Sequence, residues 1–550
     1  MLNAYFYENF KTMPTDCISY QESGYFSSLI NDYLNEKPEL KALYHRFPNL
    51  ENFKLQLEEK GKNFNGNINN NDNDKLKRDV LVSVLEKQYQ SIVASETTLN
   101  NIKLLNQYNT FTITTGHQLN LFTGPLYFLY KIVSTINLCK ELKSKFPENN
   151  FVPIYWMATE DHDFEEINYF TFKHKKISWN RESFGPVGRL STEGLEEVLA
   201  VFESEIGLGK NAEYLKNLFK KAYLEHTNLA DSTRFLANEL FAKEGLVIID
   251  GDDADLKKLF IPYIKNELLH KTAFAEVNET ISLLEKYTVQ VNPREINLFY
   301  IEDNLRERIV FENGKYAILN TKMTFSEDEI VKEVENHPEK FSPNVLLRPL
   351  YQEVILPNLC YIGGGGELAY WLELKSFFES QNETFPILLL RNSVLLATQK
   401  QAEKADKLQL TWRDLFLNQQ ELFTQKTKLL SEFTIDFSAQ KEVLKKQFED
   451  LHKIAEATDK SFLGAVKAQE TKQIKGLENL EKRLLKAEKR VHQEQLNRII
   501  ALQNELFPNQ SLQERKLNFS EYYSEFGEEL IKKLLNELKP LEQEFKIIQL

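Results

Sequence analysis

The stretch that decides the fold is FTITTGHQLNLFTGPLYFLYKIVSTINLCKELKSKFPENNFVPIYWMA, residues 111–158. It holds two β-prone apolar runs, FTITT (111–115) and VPIYWMA (152–158), separated by an apolar helical pattern at 126–146. Strands that are buried on both faces read as continuous apolar runs, and parallel strands need a crossover connection that is usually a helix. The stretch therefore predicts one β–α–β unit of a parallel sheet.

Three further apolar runs extend this unit into a larger α/β domain. They are GLVIID (245–250), NLCYIG (358–363) and PILLLR (386–391), and a helix is expected at LAYWLELKSFFES (368–380). Strands that alternate with helices are the mark of a doubly wound sheet with helices on both faces. We therefore predict an α/β fold with a parallel-sheet core.

Two long segments interrupt this alternation. The first segment, from about residue 165 to 240, contains a short aromatic and basic stretch followed by helical patterns. Residues of about 271–345 hold the β-like pieces INLFYIED and RIVFENGKYAIL, with a hairpin turn expected at ENGK. Both are interpreted as insertions into the core. Earlier in the chain, the polar run at 63–75 (NFNGNINNNDNDK) is predicted to be an exposed loop.

The last third of the chain has the pattern of a coiled coil. Apolar positions alternate at spacings of four and three, the seam of a coiled coil, in two series: Leu444, Phe448, Leu451, Ala455, Thr458, Phe462, Ala465; and Leu477, Leu480, Leu484, Ala487, Val491. Gly464 and Gly476 are the expected places for a bend. We predict a core at 1–410, an α-helical arm at 411–510 and a segment at 511–550 that returns to the core. Because an isolated arm must bury its seam, a homodimer is expected.

Composition argues against membrane and secreted classes. The apolar fraction is 42% and the charged fraction 27%, as in globular proteins. The chain has no apolar run of about 18 residues, the length that a membrane span needs. Its first residues, MLNAYFYENFKTMP, lack the basic start and apolar run of a secretion signal. We therefore expect a cytoplasmic protein with no membrane partner.

Charge and cysteine content narrow the function classes further. The net charge of −13 disfavours nucleic acid as a partner, because binding to phosphates needs a basic surface. The three cysteines, Cys17, Cys139 and Cys360, form no CxxC pair, which suits a reducing compartment and argues against a thiolate zinc site. Cys139 and Cys360 lie in apolar runs, so we expect buried small side chains rather than nucleophiles.

Polar, acidic or glycine-rich turns follow all five predicted strands. They read TGHQLNLFTGP, TEDHDFEEIN, DGDDADL, GGGGELAYW and RNS. In an open α/β sheet, ligands bind in the crevice beyond the carboxyl ends of the strands. We therefore expect these turns to meet on one rim and to form a single polar pocket.

The first two turns carry the candidate catalytic groups. Gly116 exposes backbone amides ahead of a helix that should begin near Pro125, an arrangement that favours anions. His117 could donate a hydrogen bond to a phosphate or carboxylate, although an ordinary turn with a satisfied histidine explains the pattern equally well. The second turn concentrates acids around one histidine: Glu160, Asp161, His162, Asp163. Such a group could hold a divalent metal, orient an amine or act as a base; the alternative is a charged loop that leads into a helix.

The glycine run and four side chains that lie upstream or downstream of it are the candidate anion-binding groups. Gly363, Gly364, Gly365 and Gly366 should allow positive φ and close approach of a ligand, although their spacing is neither that of a P-loop nor that of a dinucleotide fold; a flexible turn is the alternative. Further candidates are Arg348 and Gln352 upstream, Glu367 after the glycines, and Arg391 at a strand end. An unpaired arginine in a buried strand is costly, so Arg391 should meet a bound anion or an internal acid.

Four motifs together resemble the bacillithiol-biosynthesis cysteine ligases. They are TGHQLNLFTGPLYFLYKI, PIYWMATEDHDFEEIN, LRPLYQEVILPNLCYIGGGGELAYW and LFPNQSLQER, and the likeness runs in order through nearly the whole chain, including the coiled coil. The resemblance implies a Rossmann-like core interrupted by connecting-peptide insertions, and a C-terminal α-helical coiled coil that mediates dimerisation.

The resemblance also implies a reaction. L-Cysteine would be added to the amine of glucosaminyl-malate to give bacillithiol, and because amide synthesis is uphill in water, ATP would be consumed to ADP or AMP. We assign catalysis to His117 and the acidic turn, substrate binding to Gln118, Arg348, Gln352, Glu367 and Arg391, and nucleotide binding to Gly116 and the glycine run. The requirement for a metal stays open. Two other interpretations are a metal-dependent hydrolase that uses the acidic turn and a noncatalytic nucleotide-binding scaffold.

Overall fold

The structure is a computed structural model of the chain, and it describes residues 16–65, 68–458 and 460–550. The chain divides into two compact units. The first, here called the core unit, comprises chiefly residues 17–395 and 513–548. The second, the arm unit, comprises chiefly residues 396–512.

The strands of the described residues belong to four sheets. In chain order they are β1 Asp16–Ser19, β2 Thr110–His117, β3 Asn150–Met157, β4 Tyr169–Phe172, β5 Lys175–Ser178, β6 Val247–Asp250, β7 Leu298–Glu302, β8 Leu305–Glu312, β9 Lys315–Ile318, β10 Thr324–Phe325, β11 Phe341–Pro343, β12 Asn358–Gly363, β13 Ile387–Leu390, β14 Ser393–Ala397 and β15 Glu544–Gln549.

The α-helices of the described residues are, in chain order, α1 Tyr20–Ser23, α2 Ser28–Leu34, α3 Leu50–Asn65, α4 Ile68–Gln88, α5 Glu96–Leu104, α6 Tyr127–Lys145, α7 Phe164–Ile167, α8 Leu195–Ile206, α9 Lys210–Leu224, α10 Leu229–Phe241, α11 Ala254–His270, α12 Thr272–Ser282, α13 Glu327–Asn336, α14 Leu347–Ile355, α15 Gly365–Trp371, α16 Lys375–Ser380, α17 Gln399–Lys407, α18 Trp412–Phe416, α19 Gln419–Leu430, α20 Ser438–Glu456, α21 Lys460–Val491, α22 Gln493–Leu506, α23 Phe519–Phe526 and α24 Glu528–Glu537. In this part of the chain, none of the helices combines the length and the apolar character that a membrane span requires.

All five predicted apolar runs form one parallel sheet in the order β13-β12-β2-β3-β6. When these five strands are numbered along the chain from β2, the order is 5-4-1-2-3, the strand order of a Rossmann-like sheet. The predicted α/β fold class is therefore confirmed. The order reverses between β2 and β12, and this topological switch point is where such sheets bind ligands.

The predicted insertions hold their own small sheets. Strands β7 to β11 form an antiparallel sheet in the order β10-β9-β8-β7-β11, and β4 and β5 form a hairpin. The turn at ENGK between β8 and β9 is confirmed. Its two central residues, Asn313 and Gly314, have φ of 52° and 75°, as a two-residue hairpin turn of the I′ type requires. The fourth sheet, which lies outside the predicted insertions, has the order β1-β15-β14.

A hydrophobic cluster joins the parallel sheet to the helices that cover it. It includes Phe53 of α3, Leu138 of α6, and Ile113 and Leu389 of the sheet, all at most 3% exposed. Cys139 and Cys360 lie in the same cluster, at 5% and 0% exposed. Burial also holds the pKa of both thiols well above the ordinary value. As expected from the sequence, they are buried small side chains.

The arm unit contains a helical hairpin, but its reversal is not where the glycines predicted it. Helices α20 and α21 pair antiparallel, with ion pairs from Lys441 to Glu481 (2.8 Å) and from His452 to Glu470 (2.8 Å). The chain reverses between Glu456 and Lys460, and the predicted bends at Gly464 and Gly476 are wrong: both lie inside α21. A glycine lowers helix stability by only about 1 kcal/mol, which helix packing overrides.

The hairpin buries only part of the predicted seam. Phe448 and Ala455 are buried together with Val466, whereas Leu451 and Phe462 are 41% and 44% exposed. Because the chain reverses after Ala455, the first series is split between two helices and cannot form one continuous seam.

Two other sequence expectations differ from the structure. The run at 63–75 is helical at 63–65 and 68–75, and residues 66–67 lie outside the described residues, so the predicted loop is wrong for most of its length. Local propensity for asparagine and aspartate is a weak prior that helix packing overrides; α3 and α4 contact each other. The single helix predicted at 368–380 is two short helices, α15 and α16.

Candidate functional site

A cleft of about 330 Å³ opens at the switch point between β2 and β12. This volume lies within the range of small-molecule sites. Parallel register brings the strand ends together, since His117 is level with Met157, and Met157 with Asp250. Charged and polar side chains that line the cleft are His117, Gln118, Lys131, Thr159, Glu160, Asp161, Arg306, Asn344, Arg348 and Glu367, with Tyr127, Tyr361 and Tyr370 among the rings.

A strained turn at residues 122–124 follows His117, the last residue of β2. Phe122, Thr123 and Gly124 have φ of 49°, 69° and 63°, which is rare for a bulky or β-branched residue. The amide of Asn518, far along the chain, donates to the carbonyl oxygens of Phe122 (2.8 Å) and Gly124 (2.6 Å). Backbone strain of this kind persists only where the surroundings over-determine it, and it concentrates at functional sites.

His117 is a buried, neutral histidine. It is 6% exposed, and its ring packs edge-on against Tyr127 at 5.3 Å between centroids. Burial, and secondarily the charge of Lys131, lower the pKa of His117 well below 6.5. The ring also hydrogen-bonds to the backbone of Thr123, while Nε2 is buried with no hydrogen-bond partner among the described residues. A neutral imidazole that donates from one nitrogen has an acceptor lone pair on the other.

Lys131 supplies a buried positive charge directly beneath Gly116. It is 2% exposed, and its ammonium donates to the Gly116 carbonyl at 2.6 Å and lies 2.5 Å from Glu367 Oε1. Burial lowers the pKa of Lys131, and the charge of Glu367 opposes that effect. The Tyr361 hydroxyl donates to the other Glu367 oxygen at 2.7 Å. Glu367 is therefore held in place by one group from helix α6 and one from strand β12.

Arg348 lines the cleft, and Gln352 lies behind it. Arg348 Nη1 donates to the Gln352 oxygen at 3.0 Å, and the Gln352 amide donates to the buried Glu353 at 2.9 Å. Gln352 is fully buried and is not among the lining residues of the cleft. Its position suits orientation of Arg348 rather than contact with a ligand.

Two carboxylates of the acidic turn, Glu160 and Asp161, have pKa values that are shifted in opposite directions. Glu160 pairs with the buried Lys257, and burial raises the pKa of Glu160 although Lys257 opposes this effect. For Asp161, burial alone would raise the pKa, but hydrogen bonds from His162 and Gln118 hold it below its ordinary value. Both acids line the cleft. The turn thus offers one fixed carboxylate and one that carries a raised pKa.

His162 and Asp163 do not line the cleft but border an adjoining recess, which Asp161 also lines. The side chains of Asp161, His162 and Asp163 lie close enough to ligate one cation. The Arg306 guanidinium, however, is 2.5 Å from His162 Nδ1 and 4.0 Å from Asp161. Because this arginine already provides the positive charge, the group fits a divalent metal poorly.

Arg391 meets an internal acid. Its Nη2 donates to Glu514 Oε1 at 2.7 Å, and the two side chains are 5% and 1% exposed. Its guanidinium lies 5.0 Å from the ring centroid of Tyr127, which lines the cleft, but Arg391 itself is not among the lining residues. Of the two partners that the sequence allowed, the acid is the one observed. It comes from the LFPNQSLQER motif.

Of the four glycines of this run, Gly363 is the one that is closely packed, and none has an unusual dihedral angle. None of Gly363, Gly364, Gly365 and Gly366 has a positive φ, so the expectation of positive φ is wrong. A Cβ added at Gly363 would lie 2.9 Å from Leu368 Cδ1 and 3.0 Å from Glu367 Cβ. The run lets β12 turn sharply into α15 and so brings Glu367 to the cleft. Gly116, unlike these four, lines the cleft.

Sequence reasoning missed several of the lining residues. Lys131 left a signal, because it is the lone charge in the apolar run LYFLYKIVSTINL. Tyr127 and Tyr361 lie in two of the four motifs that carry the family resemblance, but neither was predicted to be a site residue. No local sequence pattern pointed to Arg306, because it reaches the cleft from an insertion and only tertiary packing places it there.

Comparisons with known proteins cover nearly the whole chain. Residues 13–392 match the family model described as bacillithiol biosynthesis BshC, N-terminal Rossmann-like domain, and residues 394–550 match the C-terminal coiled-coil domain of the same description. Proteins named "Putative cysteine ligase BshC" from Flavobacterium johnsoniae and Flavobacterium psychrophilum are 67% and 66% identical over 98% of this chain and 100% of theirs. The protein of that name from Cytophaga hutchinsonii is 39% identical over 95% of this chain and 96% of its own.

Proposed function

Because the chain belongs to the bacillithiol biosynthesis BshC family, we propose that it is a ligase that forms a carbon–nitrogen bond between L-cysteine and an amine. The acceptor is the amine of glucosaminyl-malate, the product is bacillithiol, and ATP drives the reaction. The observation that carries the proposal is the cleft at the switch point, where cations and carboxylates converge around a neutral histidine.

The charges of the cleft match what amide synthesis has to bind. The reaction brings together an anionic carboxylate, anionic phosphates and an ammonium group. Lys131 and Arg348 supply positive charge at the end of β2, next to Gly116, for the anions. Glu160 and Asp161, which line the same cleft, supply acceptors for the ammonium group. A buried polar group costs free energy unless it is paired or meets a ligand, and Arg348 Nη2 is buried without a hydrogen-bond partner among the described residues.

His117 is proposed as the proton acceptor. The amine must lose a proton as it attacks the activated carboxyl, and a general base has to be unprotonated at the operating pH to accept that proton. Burial keeps the imidazole neutral, and Nε2 has no other partner in the described structure. Gln118, which donates to Asp161 at 3.0 Å, would hold that carboxylate toward the ammonium group.

ATP is the proposed cofactor, and the glycine-exposed amides near Gly116 are its proposed contact. Gly363–Gly366 would contribute indirectly, through the position of Glu367. The group of Asp161, His162 and Asp163 is not proposed as a metal site, because Arg306 already contacts it. For the same reason a metal-dependent hydrolase is not favoured.

The decisive experiment is synthesis by the pure protein. Incubation with ATP, cysteine and glucosaminyl-malate, followed by mass spectrometry, should show the thiol product together with either AMP or ADP, and the nucleotide identifies the activation chemistry. Failure of the wild-type protein to form the amide would refute the proposal. His117→Asn should lower kcat by about 10²- to 10⁴-fold. His174→Asn is the matched control, because His174 is exposed on the β4–β5 turn with φ of 65°, which asparagine tolerates.

A further inference from the structure

A recess that adjoins the cleft is lined by three arginines, Arg294, Arg306 and Arg308. We propose that this arginine recess binds the two carboxylates of the acceptor substrate, the malate half of glucosaminyl-malate. This inference rests on the proposed function, which it deepens by assigning a separate place to one half of one substrate.

The strand register puts two of the arginines on one face. Arg306 and Arg308 are two residues apart on β8, so their side chains leave the same side of the strand. Arg308 is paired with Phe299 of β7, and the Arg306 guanidinium lies 3.9 Å above the Phe299 ring. Stacking on an aromatic face fixes the plane of the guanidinium, and a fixed fork is what bidentate binding of a carboxylate requires.

The third arginine stands on a loop that is held rigid. The Asn297 side chain accepts from the Arg294 backbone N–H at 3.0 Å and donates to the Arg294 carbonyl at 2.7 Å. Asn297 is itself anchored by the buried Glu267 at 2.9 Å. Further back on the same loop, Gln290 donates its N–H to the buried Glu373 at 2.7 Å. The wall that carries Arg294 is therefore formed before a ligand arrives.

The arginines are incompletely neutralised within the protein. Arg306 is 8% exposed, and its Nε is buried without a hydrogen-bond partner among the described residues. Arg294 and Arg308 have neither an ion pair nor a side-chain hydrogen bond in the described parts of the chain. Two acids, Asp161 and Asp163, also line the recess. Three guanidinium groups against two carboxylates leave a positive excess, which an anionic ligand would balance.

The recess is continuous with the cleft. Both are lined by Asp161, Arg306, Asn344 and Val345, so one ligand can span them. Glu160 and Asp161 line the cleft, where an ammonium group would sit, whereas Arg294 and Arg308 line only the recess. An acceptor that carries an amine and a dicarboxylate has the same sequence of charges. The phosphates of a nucleotide share the anionic chemistry, so the test has to separate the two.

Calorimetric titration of the full-length protein separates them. Arg308→Gln and Arg294→Gln should each weaken the binding of glucosaminyl-malate by about 10- to 100-fold, the loss expected for one charged hydrogen-bonding partner. Binding of ATP, of cysteine and of methyl glucosaminide, which lacks malate, should be unchanged. Arg498→Gln, a substitution of an arginine that is 69% exposed in the arm unit, is the control and should leave every affinity unchanged.

Three results would overturn the inference: unchanged binding of glucosaminyl-malate by the variants, an equal loss for methyl glucosaminide, or a loss of affinity for ATP instead. The proposed function is tested separately by amide formation. A wild-type protein that forms the amide while Arg308→Gln binds normally refutes only the recess. A protein that needs the arginines to bind glucosaminyl-malate but forms no amide refutes only the proposed reaction.

Discussion

Replacement of Glu514 by glutamine tests whether this buried carboxylate neutralises Arg391. Glu514 accepts from Arg391 Nη2 at 2.7 Å, from the Ser393 hydroxyl at 3.2 Å and from the Val394 N–H at 3.0 Å. With the ionic side chains 5% and 1% exposed, water cannot replace the lost charge. Unit charges about 4 Å apart attract by about 4 kcal/mol at an effective dielectric constant near 20. Loss of one partner of a buried pair costs about 3–5 kcal/mol.

We therefore expect Glu514→Gln to lower the free energy of unfolding of the core unit by about 3–5 kcal/mol. Urea denaturation followed by tryptophan fluorescence reports on this unit, because it contains Trp156, Trp179 and Trp371, three of the four tryptophans. The control is Glu529→Gln, which removes an exposed ion pair with Lys532 on α24 and should cost less than about 1 kcal/mol.

A double substitution sharpens the result. Arg391→Met combined with Glu514→Gln removes both charges, so it should be more stable than Glu514→Gln alone, in which one charge is left buried without a counterion. If Glu514→Gln proved no more destabilising than Glu529→Gln, the carboxylate would not be the counterion of Arg391, and the account of how the C-terminal segment supports the site would fail.

Three further predictions concern the cleft and its walls. Gly124→Ala should destabilise the core unit by about 1–3 kcal/mol in urea denaturation, because Gly124 has φ of 63° and a Cβ would meet Asn120 at 2.6 Å. The control Gly61→Ala, inside α3, should instead stabilise the unit by about 0.5–1 kcal/mol. Equal effects of the two substitutions would contradict this prediction. Lys131→Met should reduce the rate of amide formation by about 10²-fold or more. Lys140→Met, which changes an exposed residue of the same helix, should leave that rate unchanged. Equal turnover by the two variants would show that Lys131 has no role in amide formation. Burial raises the pKa of Glu373 to about 7, so the folded state favours its protonated form and loses stability as pH rises from about 4.5 through 7. Glu373→Gln should therefore gain stability relative to wild type across that interval, and a difference that is independent of pH would show that the carboxyl does not titrate there.

The fold could be predicted because the apolar runs that indicate its strands are local sequence patterns. Much of the site could not be predicted, because tertiary packing brings its side chains together. A strand buried on both faces must be apolar throughout, so the run that contains Ile113 could be recognised without knowledge of its neighbours. His117 and Glu160 could be recognised because each directly follows such a strand. Arg306 lies on a half-exposed strand of an insertion, and only tertiary packing brings it to the same cleft. The same limit applies to the arm, where Gly464 suggested a bend but helix packing placed the reversal before it.

The charges of the site come largely from outside the sheet that positions it. The parallel strands bring Gly116 and His117 to the switch point, but the strained turn that follows them is held by Asn518. Arg306 comes from an insertion, and the counterion of Arg391 is Glu514. A substitution in either distant segment can therefore change the cleft without touching a strand. The Rossmann-like strand order explains where the cleft lies, and the segments added to the sheet supply much of its charge.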